Sequence, residues 1–352
     1  MPHFYFEHLT SPAQFLALAD EWNPLLAQSP VNTIFLTWEW LSVWWQHFGA
    51  DYRPWLITAR ERPNGRLLAV APLMMGWGRW KGWPVPLREL QFIGSPIVHP
   101  DHLDLIVADG DERLWQTLLT EIGRRPWEFW RLASVPAGSP TLAWLRQQLP
   151  PAQRPERPIP CPFIPLPADW QTFRGQLGKN HRRNIQRYDR YLAEAGAGPV
   201  SYGQLTQPKE ISSLLTTLAR LHQAVQAEQG HLGAFHDPRV LPFQLAIAHR
   251  FFHNNWLRLY WLRLGDQPIA LMYCFLYERR LSFYITGYEL EWGRFGPGRQ
   301  LIAHAISDCI ANQVTTFDFL RGDESYKFDW TATTQSNVYL RAAGNWLGRL
   351  LS

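Results

Sequence analysis

A proline-rich segment near the middle of the chain most strongly limits the folds open to it. Residues 150–167 read PPAQRPERPIPCPFIPLP, and eight of these 18 residues are proline. Because proline lacks an N–H and clashes with the preceding turn, a helix cannot run through this segment. We interpret it as an extended connector that divides the 352 residues into two parts, each long enough to bury a core. The predicted domains are 1–155 and 156–352.

The composition is typical of a globular protein, with 46% hydrophobic and 18% charged residues. The three cysteines, Cys161, Cys274 and Cys309, fit neither a disulfide framework nor a zinc site, so we expect a reducing cytoplasm and no metal. No run of about 18 apolar residues predicts a membrane span. The net charge of +4 leaves anionic cofactors, nucleic acid and membrane surfaces open as partners.

Both parts of the chain show mixed α and β patterns. In the first part, a hairpin is predicted across Pro63-Asn64-Gly65 and a helix over 112–124. The second part predicts helices first, then an antiparallel meander of three strands, and then a helix and a strand that complete a βαβ unit. The predicted elements of the second part are helices 177–195, 211–226 and 240–252, strands 256–264, 268–277 and 281–288, helix 300–312 and strand 316–320.

The loop inside the predicted βαβ unit has the features of a phosphate site. It reads Arg294-Phe295-Gly296-Pro297-Gly298-Arg299-Gln300 and leads directly into an apolar helix. A helix start presents unpaired N–H groups and a partial positive charge, and glycines let a ligand approach the main chain. A pyrophosphate would fit here, although glycine and proline are also common before helices that bind no ligand.

Further segments in a fixed order resemble a known family. They are 35–41 (FLTWEWL), Trp44-Trp45, Phe48-Gly49, Ala71-Pro72-Leu73, 92–95 (FIGS), 101–105 (DHLDL), 179–184 (KNHRRN), Pro297-Gly298 and 318–327 (DFLRGDESYK). Together they resemble the GNAT superfamily, in particular its cellulose-biosynthesis-type (CelD/BcsL) acyltransferases, which are related to the FemABX aminoacyl-transferases.

This resemblance implies an α/β fold with mixed (α+β) sheets, made of two tandem GNAT-like (acyl-CoA N-acyltransferase) domains. It also implies transfer of an acyl group from acetyl-CoA or another acyl-CoA to an amine or hydroxyl. The chain departs from the fullest cofactor motif of the superfamily, because Pro297 lacks a backbone donor. The residues expected to contact the cofactor are Ile285, Thr286, Arg294, Gly296, Gly298, Arg299 and Gln300.

The segment after the last predicted strand gathers ionisable residues. Since acyl transfer needs an unprotonated nucleophile, Asp323 or Glu324 is predicted to act as the general base. Lys327 would stabilise the oxyanion and Tyr326 would protonate the leaving thiolate. Asp318 and Arg321 are assigned to substrate binding. The alternative is a structural loop held by salt bridges, which would contain the same residues.

Two further features could contribute to a site. Asp104, near two histidines, is a second candidate base, although a hydrogen-bonded structural role also fits it. The helix of 177–195 is amphipathic, and its basic face, with Lys179 and Arg183, is predicted to bind anionic groups of a substrate. A solvated face, the cofactor's 3′-phosphate and tRNA are the alternatives for these cations.

We therefore expect an acyltransferase that acts on a small molecule or a saccharide, in polysaccharide or cell-envelope synthesis. DNA is not expected as a partner, and the oligomeric state is left open. An aminoacyl-tRNA-dependent transferase is the first alternative. The second is a non-catalytic protein of the same fold that binds a saccharide or a protein partner through some of its 19 tryptophans.

Overall fold

The computed structural model of the chain describes residues 3–78, 86–95, 97–124, 127–195 and 198–344, without the side chains of 186 and 189. The chain forms two compact units, one from Met1–Ile159 with Ser336–Ser352 and one from Pro160–Gln335. The predicted tandem domains, 1–155 and 156–352, stay a prediction.

The first unit alternates short helices with strands. Its elements are β1 (Phe4–Leu9), α1 (Pro12–Leu16), α2 (Ala19–Ala27), α3 (Trp38–Phe48), β2 (Arg53–Pro54), β3 (Leu56–Glu61), β4 (Leu67–Ala71), β5 (Leu73–Gly78), β6 (Leu87–Phe92), β7 (Ile106–Val107), α4 (Glu112–Gly123), β8 (Phe129–Pro136) and α5 (Pro140–Gln148). The predicted hairpin is confirmed as β3 and β4, which pair antiparallel. The helix predicted over 112–124 is confirmed as α4.

Tryptophans dominate the interior of this unit. Trp22, Trp40, Trp44, Trp115 and Trp130 are fully buried. Large rings bury much apolar area and pack well edge to face, so these positions serve the core. The abundance of tryptophan in the first unit is therefore accounted for in large part by packing.

The second unit contains the longer elements. Strand β9 (Glu156–Pro165) leads into it, followed by α6 (Trp170–Gln176), α7 (Lys179–Glu194), β10 (Val200–Gln204), α8 (Ile211–Glu228), α9 (Val240–His253), β11 (Leu257–Leu264), β12 (Gln267–Tyr277), β13 (Arg280–Tyr288), α10 (Pro297–Ala311), β14 (Thr316–Asp318) and α11 (Ser325–Phe328). Strand β15 (Thr334–Ala343) begins at the end of this unit and belongs mostly to the first unit, which includes Ser336–Ser352.

The sheet of the second unit follows the predicted order. The strands lie in the order β10-β11-β12-β13-β14-β9. Strands β11, β12 and β13 form the antiparallel meander, whereas β13 and β14 pair in parallel around α10. This confirms the predicted meander, the βαβ unit and the mixed α/β fold class.

Most of the proline-rich segment forms the paired strand β9 (Glu156–Pro165). Prolines lack the N–H donor but keep the carbonyl acceptor. The carbonyls of Pro160 and Pro162 accept hydrogen bonds from the N–H groups of Gly322 and Phe319, at 2.9 and 3.0 Å. The prediction of extended backbone was correct for Glu156–Pro165, and the pairing of this strand was not predicted. The alternating prolines leave carbonyl acceptors free for pairing, and the two units divide within the same segment, between Ile159 and Pro160.

Helix α10 lies on this sheet beside α7. Leu301, Ile302 and Ile306 of α10 share one buried cluster with residues of β11 to β14 and with Leu192 of α7. Burial of such apolar side chains stabilises the fold by roughly 25 cal/mol per Å² of apolar area. The packing fixes the start of α10 relative to the ends of β13 and β14.

Candidate functional site

The site is built around the parallel strands β13 and β14. Their ladder comprises three pairs and ends at Ser282 and Asp318, whereas β13 runs on to Tyr288. A register shift between β12 and β13 follows at once, opposite Tyr273 and Cys274. Bulges of this kind re-aim side chains and occur often beside active sites. Beyond the ladder, β13 continues to Tyr288 without a partner in β14, on the side where α10 begins.

Helix α10 begins with an open N-terminus. Gly296, its N-cap, has the left-handed backbone φ of 61°, which glycine adopts without strain. Pro297 occupies the first helical position, no side chain caps the helix, and the first turn carries no acidic residue. A Cβ on Gly298 would meet only the ring of Tyr288, at 3.7 Å. Main-chain N–H groups of the first turn are thus open to an anion.

Helix α7 packs against this start. The Tyr188 ring lies 3.3 Å from the position that a Cβ on Gly296 would take. The amide of Gln300 donates to the carbonyl of Ile185 at 2.8 Å, and Gln300 is only 2% exposed. Gln300, predicted to contact the cofactor, therefore connects α10 to α7 through its side chain.

The other residues predicted to contact the cofactor lie around the same start. Arg299 forms an ion pair with Asp329 at 2.7 Å, and Arg294 stacks on the Phe295 ring at 4.7 Å. On β13, Ile285 is buried and the Thr286 hydroxyl donates to the carbonyl of Leu271. The open main-chain groups at Gly298 and Arg299 are therefore the part of this set best placed for a ligand.

The loop after β14 is tied down by Asp318. This carboxylate is fully buried, and it accepts hydrogen bonds from Arg280 at 2.8 Å and from the Leu320 N–H at 2.8 Å. A buried carboxylate needs such a cation and such donors. Asp318 therefore fixes the loop, and Arg280 is a residue that sequence analysis missed. The predicted strand of 281–288 excluded Arg280 by one residue, and the observed β13 begins at Arg280 and so places it on the strand beside Asp318.

Lys327, the cation of the predicted catalytic group, is almost fully buried. It is 3% exposed, and its Nζ donates to the Arg321 carbonyl at 2.6 Å and contacts Glu324 Oε2 at 2.9 Å. Gly322, with φ of 125°, leaves room for the ammonium, because a Cβ there would lie 2.8 Å from Nζ. An ammonium has three N–H donors, so a third remains for a developing negative charge.

The neighbours of Lys327 differ in exposure. Asp323 is exposed, and the Glu324 side chain is 56% exposed. Burial, together with the nearby Glu324 carboxylate, raises the pKa of Tyr326 well above its usual value, so its hydroxyl stays protonated at neutral pH. The structure thus brings together an accessible carboxylate, a protonated phenol and a buried ammonium.

Helix α11 lies next to the start of α10. The ion pair between Arg299 of α10 and Asp329, which follows α11 directly, spans 2.7 Å. This contact connects the segment with Tyr326 and Lys327 to the first turn of α10. A donor held at that turn would therefore lie near the predicted catalytic group.

Asp104 belongs to the first unit. It is fully buried and accepts hydrogen bonds from the Thr141 hydroxyl at 2.5 Å and from the Leu105 N–H at 2.8 Å. Burial raises the pKa of Asp104 to about 6, against the opposing effect of these hydrogen bonds. These contacts link the 101–105 segment to the first turn of α5.

The raised pKa of Asp104 predicts a pH-dependent stability difference. Because the folded pKa exceeds the unfolded one, the stabilising contribution of Asp104 is fully present below about pH 4 and is lost as the pH rises through about 6. Asp104→Asn does not ionise. Between pH 5 and pH 8, the variant should therefore gain about 1.4 kcal/mol in free energy of unfolding relative to wild type. Urea unfolding at both pH values measures this, and a difference that stays constant would contradict it.

The predicted substrate-binding cations lie at the start of α7. Lys179 and Arg183 line a cavity of about 400 Å³ together with Arg174 and Arg182. Arg321 lies in the loop after β14 and offers its carbonyl to Lys327. The structure therefore separates the four predicted substrate residues into the α7 cavity, with Lys179 and Arg183, and the Asp318–Arg321 loop.

Residues 179–328 match the model of the acetyltransferase (GNAT) domain family, which covers somewhat less than half of the chain. This part of the chain therefore has the GNAT fold. This segment includes the βαβ unit, the start of α10 and Lys327. No curated protein matches the sequence significantly.

Solved structures share the fold over nearly the whole chain. FemX has a TM-score of 0.64 at 10% identity over 98% of this chain and 99% of its own. A conserved protein of unknown function from Bacteroides thetaiotaomicron VPI-5482 has a TM-score of 0.59 at 13% identity, over 96% and 99%. The C-terminal DUF2156 domain of an Agrobacterium fabrum protein has a TM-score of 0.54 at 11% identity, over 96% and 95%. At these identities, the likeness concerns the fold.

Among the described residues, no helix combines the length and the apolar character needed to cross a bilayer.

Proposed function

We propose that this protein is a GNAT-type acyltransferase that moves an acetyl or longer acyl group from acyl-CoA to an amine or hydroxyl acceptor. The observation that carries the proposal is the uncapped start of α10 in the connection between the parallel strands β13 and β14. Helix starts of this kind bind phosphate groups through main-chain N–H donors. The pyrophosphate of coenzyme A supplies such groups.

The chemistry follows from the residues beside that start. Asp323 or Glu324 accepts a proton from the acceptor, whose nitrogen or oxygen then attacks the thioester carbonyl. The third N–H of Lys327 stabilises the oxyanion, since it lies in a buried setting where such donors act strongly. The C–S bond then breaks, Tyr326 gives its proton to the leaving thiolate, and the proton held by the carboxylate returns to Tyr326 through solvent.

The resemblance to the CelD/BcsL branch supports a saccharide acceptor in polysaccharide or cell-envelope synthesis. Acceptor specificity depends on loops and cleft walls rather than on the fold. We therefore keep this acceptor class as part of the proposal.

A second donor class is favoured by the surroundings of Gly296. Pro297 lacks one N–H, and the Tyr188 ring packs on Gly296. The first feature removes a main-chain donor for the phosphates, and the second fills space beside Gly296. The fold likeness to FemX, which extends over 98% of this chain, supports an aminoacyl-tRNA donor instead. In that case the basic face of α7 would hold the tRNA backbone.

Calorimetric titration with acetyl-CoA, and separately with aminoacyl-tRNA, tests the donor. We expect saturable binding of acetyl-CoA that depends only weakly on salt. Tight binding of aminoacyl-tRNA, weakening linearly in log affinity against log salt, would establish the second donor class instead. Binding of neither donor would contradict both and leave a binding protein of the same fold.

A further inference from the structure

A basic cavity lies where α6 meets α7. It has a volume of about 400 Å³ and is lined by Gln171, Arg174, Gly175, Lys179, Arg182 and Arg183. No carboxylate lines it, and within the described part of the chain no ion pair involves any of its four cations. Four like charges repel one another, so a bound anion would lower their electrostatic repulsion energy. Arginine also binds phosphate through two parallel hydrogen bonds.

The main chain adds donors to this basic cavity. Helix α7 begins after Gly178, which has no side chain to cap it, and its first turn holds no acidic residue. The helix start therefore presents N–H groups and a partial positive charge at the same place as the cations. The whole wall thus favours one class of ligand, a compact anion such as a phosphate or a diphosphate.

A second cavity, which we call the aromatic cavity, adjoins the basic one. It has a volume of about 310 Å³, and its walls include Trp170, Tyr202 and His304. The rings of Tyr202 and His304 stack with centroids 5.2 Å apart and planes 25° apart. Arg174 lines both cavities and therefore connects them. Flat rings of this kind can stack on any nucleobase, so the contact does not depend on which base is bound.

We propose that the basic and aromatic cavities together bind a nucleoside diphosphate. The diphosphate lies among Arg174, Lys179, Arg182 and Arg183, and the base stacks in the aromatic cavity. Each cavity falls within or near the size range of small-molecule sites. A free phosphate would leave the rings unused, and an extended RNA would not need the walls of the aromatic cavity.

This site adjoins the proposed donor site. The donor site uses Gly298 and Arg299 in the first turn of α10, whereas the aromatic cavity is lined by Gln300, Ala303, His304 and Ser307 of the same helix. Gln300, which was expected to contact the cofactor, donates its amide N–H to the Ile185 carbonyl and so lines the aromatic cavity with its side chain engaged. Binding of ADP and pyrophosphate can be measured without acyl transfer, and Gly298→Asp distinguishes the two sites.

Calorimetry with ADP and with inorganic pyrophosphate as probes tests the site. Arg183→Gln should weaken the binding of both probes by about tenfold, because it removes a charged hydrogen-bond donor. Trp170→Ala should weaken ADP by about tenfold and leave pyrophosphate unchanged, because only ADP carries a base. Arg187→Gln, one turn along α7 and outside both cavities, is the matched control and should change neither.

Three results would overturn the proposal. If ADP and pyrophosphate bind with equal affinity, and Trp170→Ala changes neither affinity, the cavities form an anion site alone. Binding of tRNA without binding of ADP would show a polyanion surface. Loss of ADP binding in Gly298→Asp, which changes only the start of α10, would assign the nucleotide to the donor site. Retained ADP binding in that variant keeps the two proposals distinguishable.

Discussion

Lys327→Gln should slow acyl transfer by at least about a hundredfold, the usual loss when one oxyanion donor is removed. The Lys327 ammonium is buried against the Arg321 carbonyl and Glu324, which leaves one N–H for the reacting oxygen. Glutamine can still donate to the Arg321 carbonyl, but it brings no charge. The expected result is a lower kcat with an unchanged Kd for the acyl donor, because the interaction forms only in the transition state.

The measurement is release of free thiol from acetyl-CoA, with acceptors found by screening amines and hydroxylated saccharides. Circular dichroism and thermal unfolding of the variant check that the fold is kept. Glu324→Gln is the matched comparison, because it removes the partner of Lys327 and leaves the ammonium in place. If Glu324 is the general base, this variant also loses rate. A wild-type kcat in Lys327→Gln would exclude Lys327 from the transition state.

The order of elements in the second unit was predictable because each element has its own local pattern. The apolar run of β12 and the turn at Gly265 and Asp266 define the meander without any long-range information. The helix predicted to begin at Gln300 begins at Pro297 instead. Proline is favoured at the first helical position, where its missing N–H costs nothing. The sequence contained this signal, and the prediction simply did not use it.

Contacts between distant residues were not predictable in the same way. The Tyr188 ring on Gly296 and the Gln300 amide on Ile185 join residues more than 100 positions apart. Periodicity indicates which face of a helix is apolar, but it does not say which partner that face meets. The basic face of α7 shows the same limit. Its cations were predicted to bind a substrate, with a solvated face as an alternative, and only the folded chain places three of them around one cavity with Arg174 of α6.

Burial decides the roles of the predicted catalytic residues, and it could not be predicted from their spacing. Lys327 is almost fully buried, whereas Glu324, three positions earlier, is mostly exposed. Both contacts of Lys327 depend on the left-handed turn at Gly322. That turn is held by the hydrogen bond from Gly322 to Pro160, a contact with the proline-rich strand. The proline-rich strand thus supports the candidate site.

Gly298→Asp should weaken binding of acyl-CoA by about a hundredfold, since a carboxylate close to a phosphate in a partly buried site costs several kcal/mol. Gly298 is the second residue of α10, where the proposed pyrophosphate meets the main chain. An aspartate in the first turn stabilises the helix by about 0.3–1 kcal/mol through the helix dipole. The variant should therefore unfold at the same temperature as wild type or higher, so that lost binding is not a sign of misfolding.

Gly298→Ala is the matched control, because the added Cβ would lie at an ordinary contact distance of 3.7 Å from the Tyr288 ring. It should bind coenzyme A nearly as wild type does, which separates the effect of charge from that of bulk. Calorimetric titration of coenzyme A into the three proteins gives the comparison. Equal affinity in the aspartate variant would mean that no phosphate lies at this helix start. The donor would then bind elsewhere on the second unit, and an acyl group carried by tRNA would become the better hypothesis.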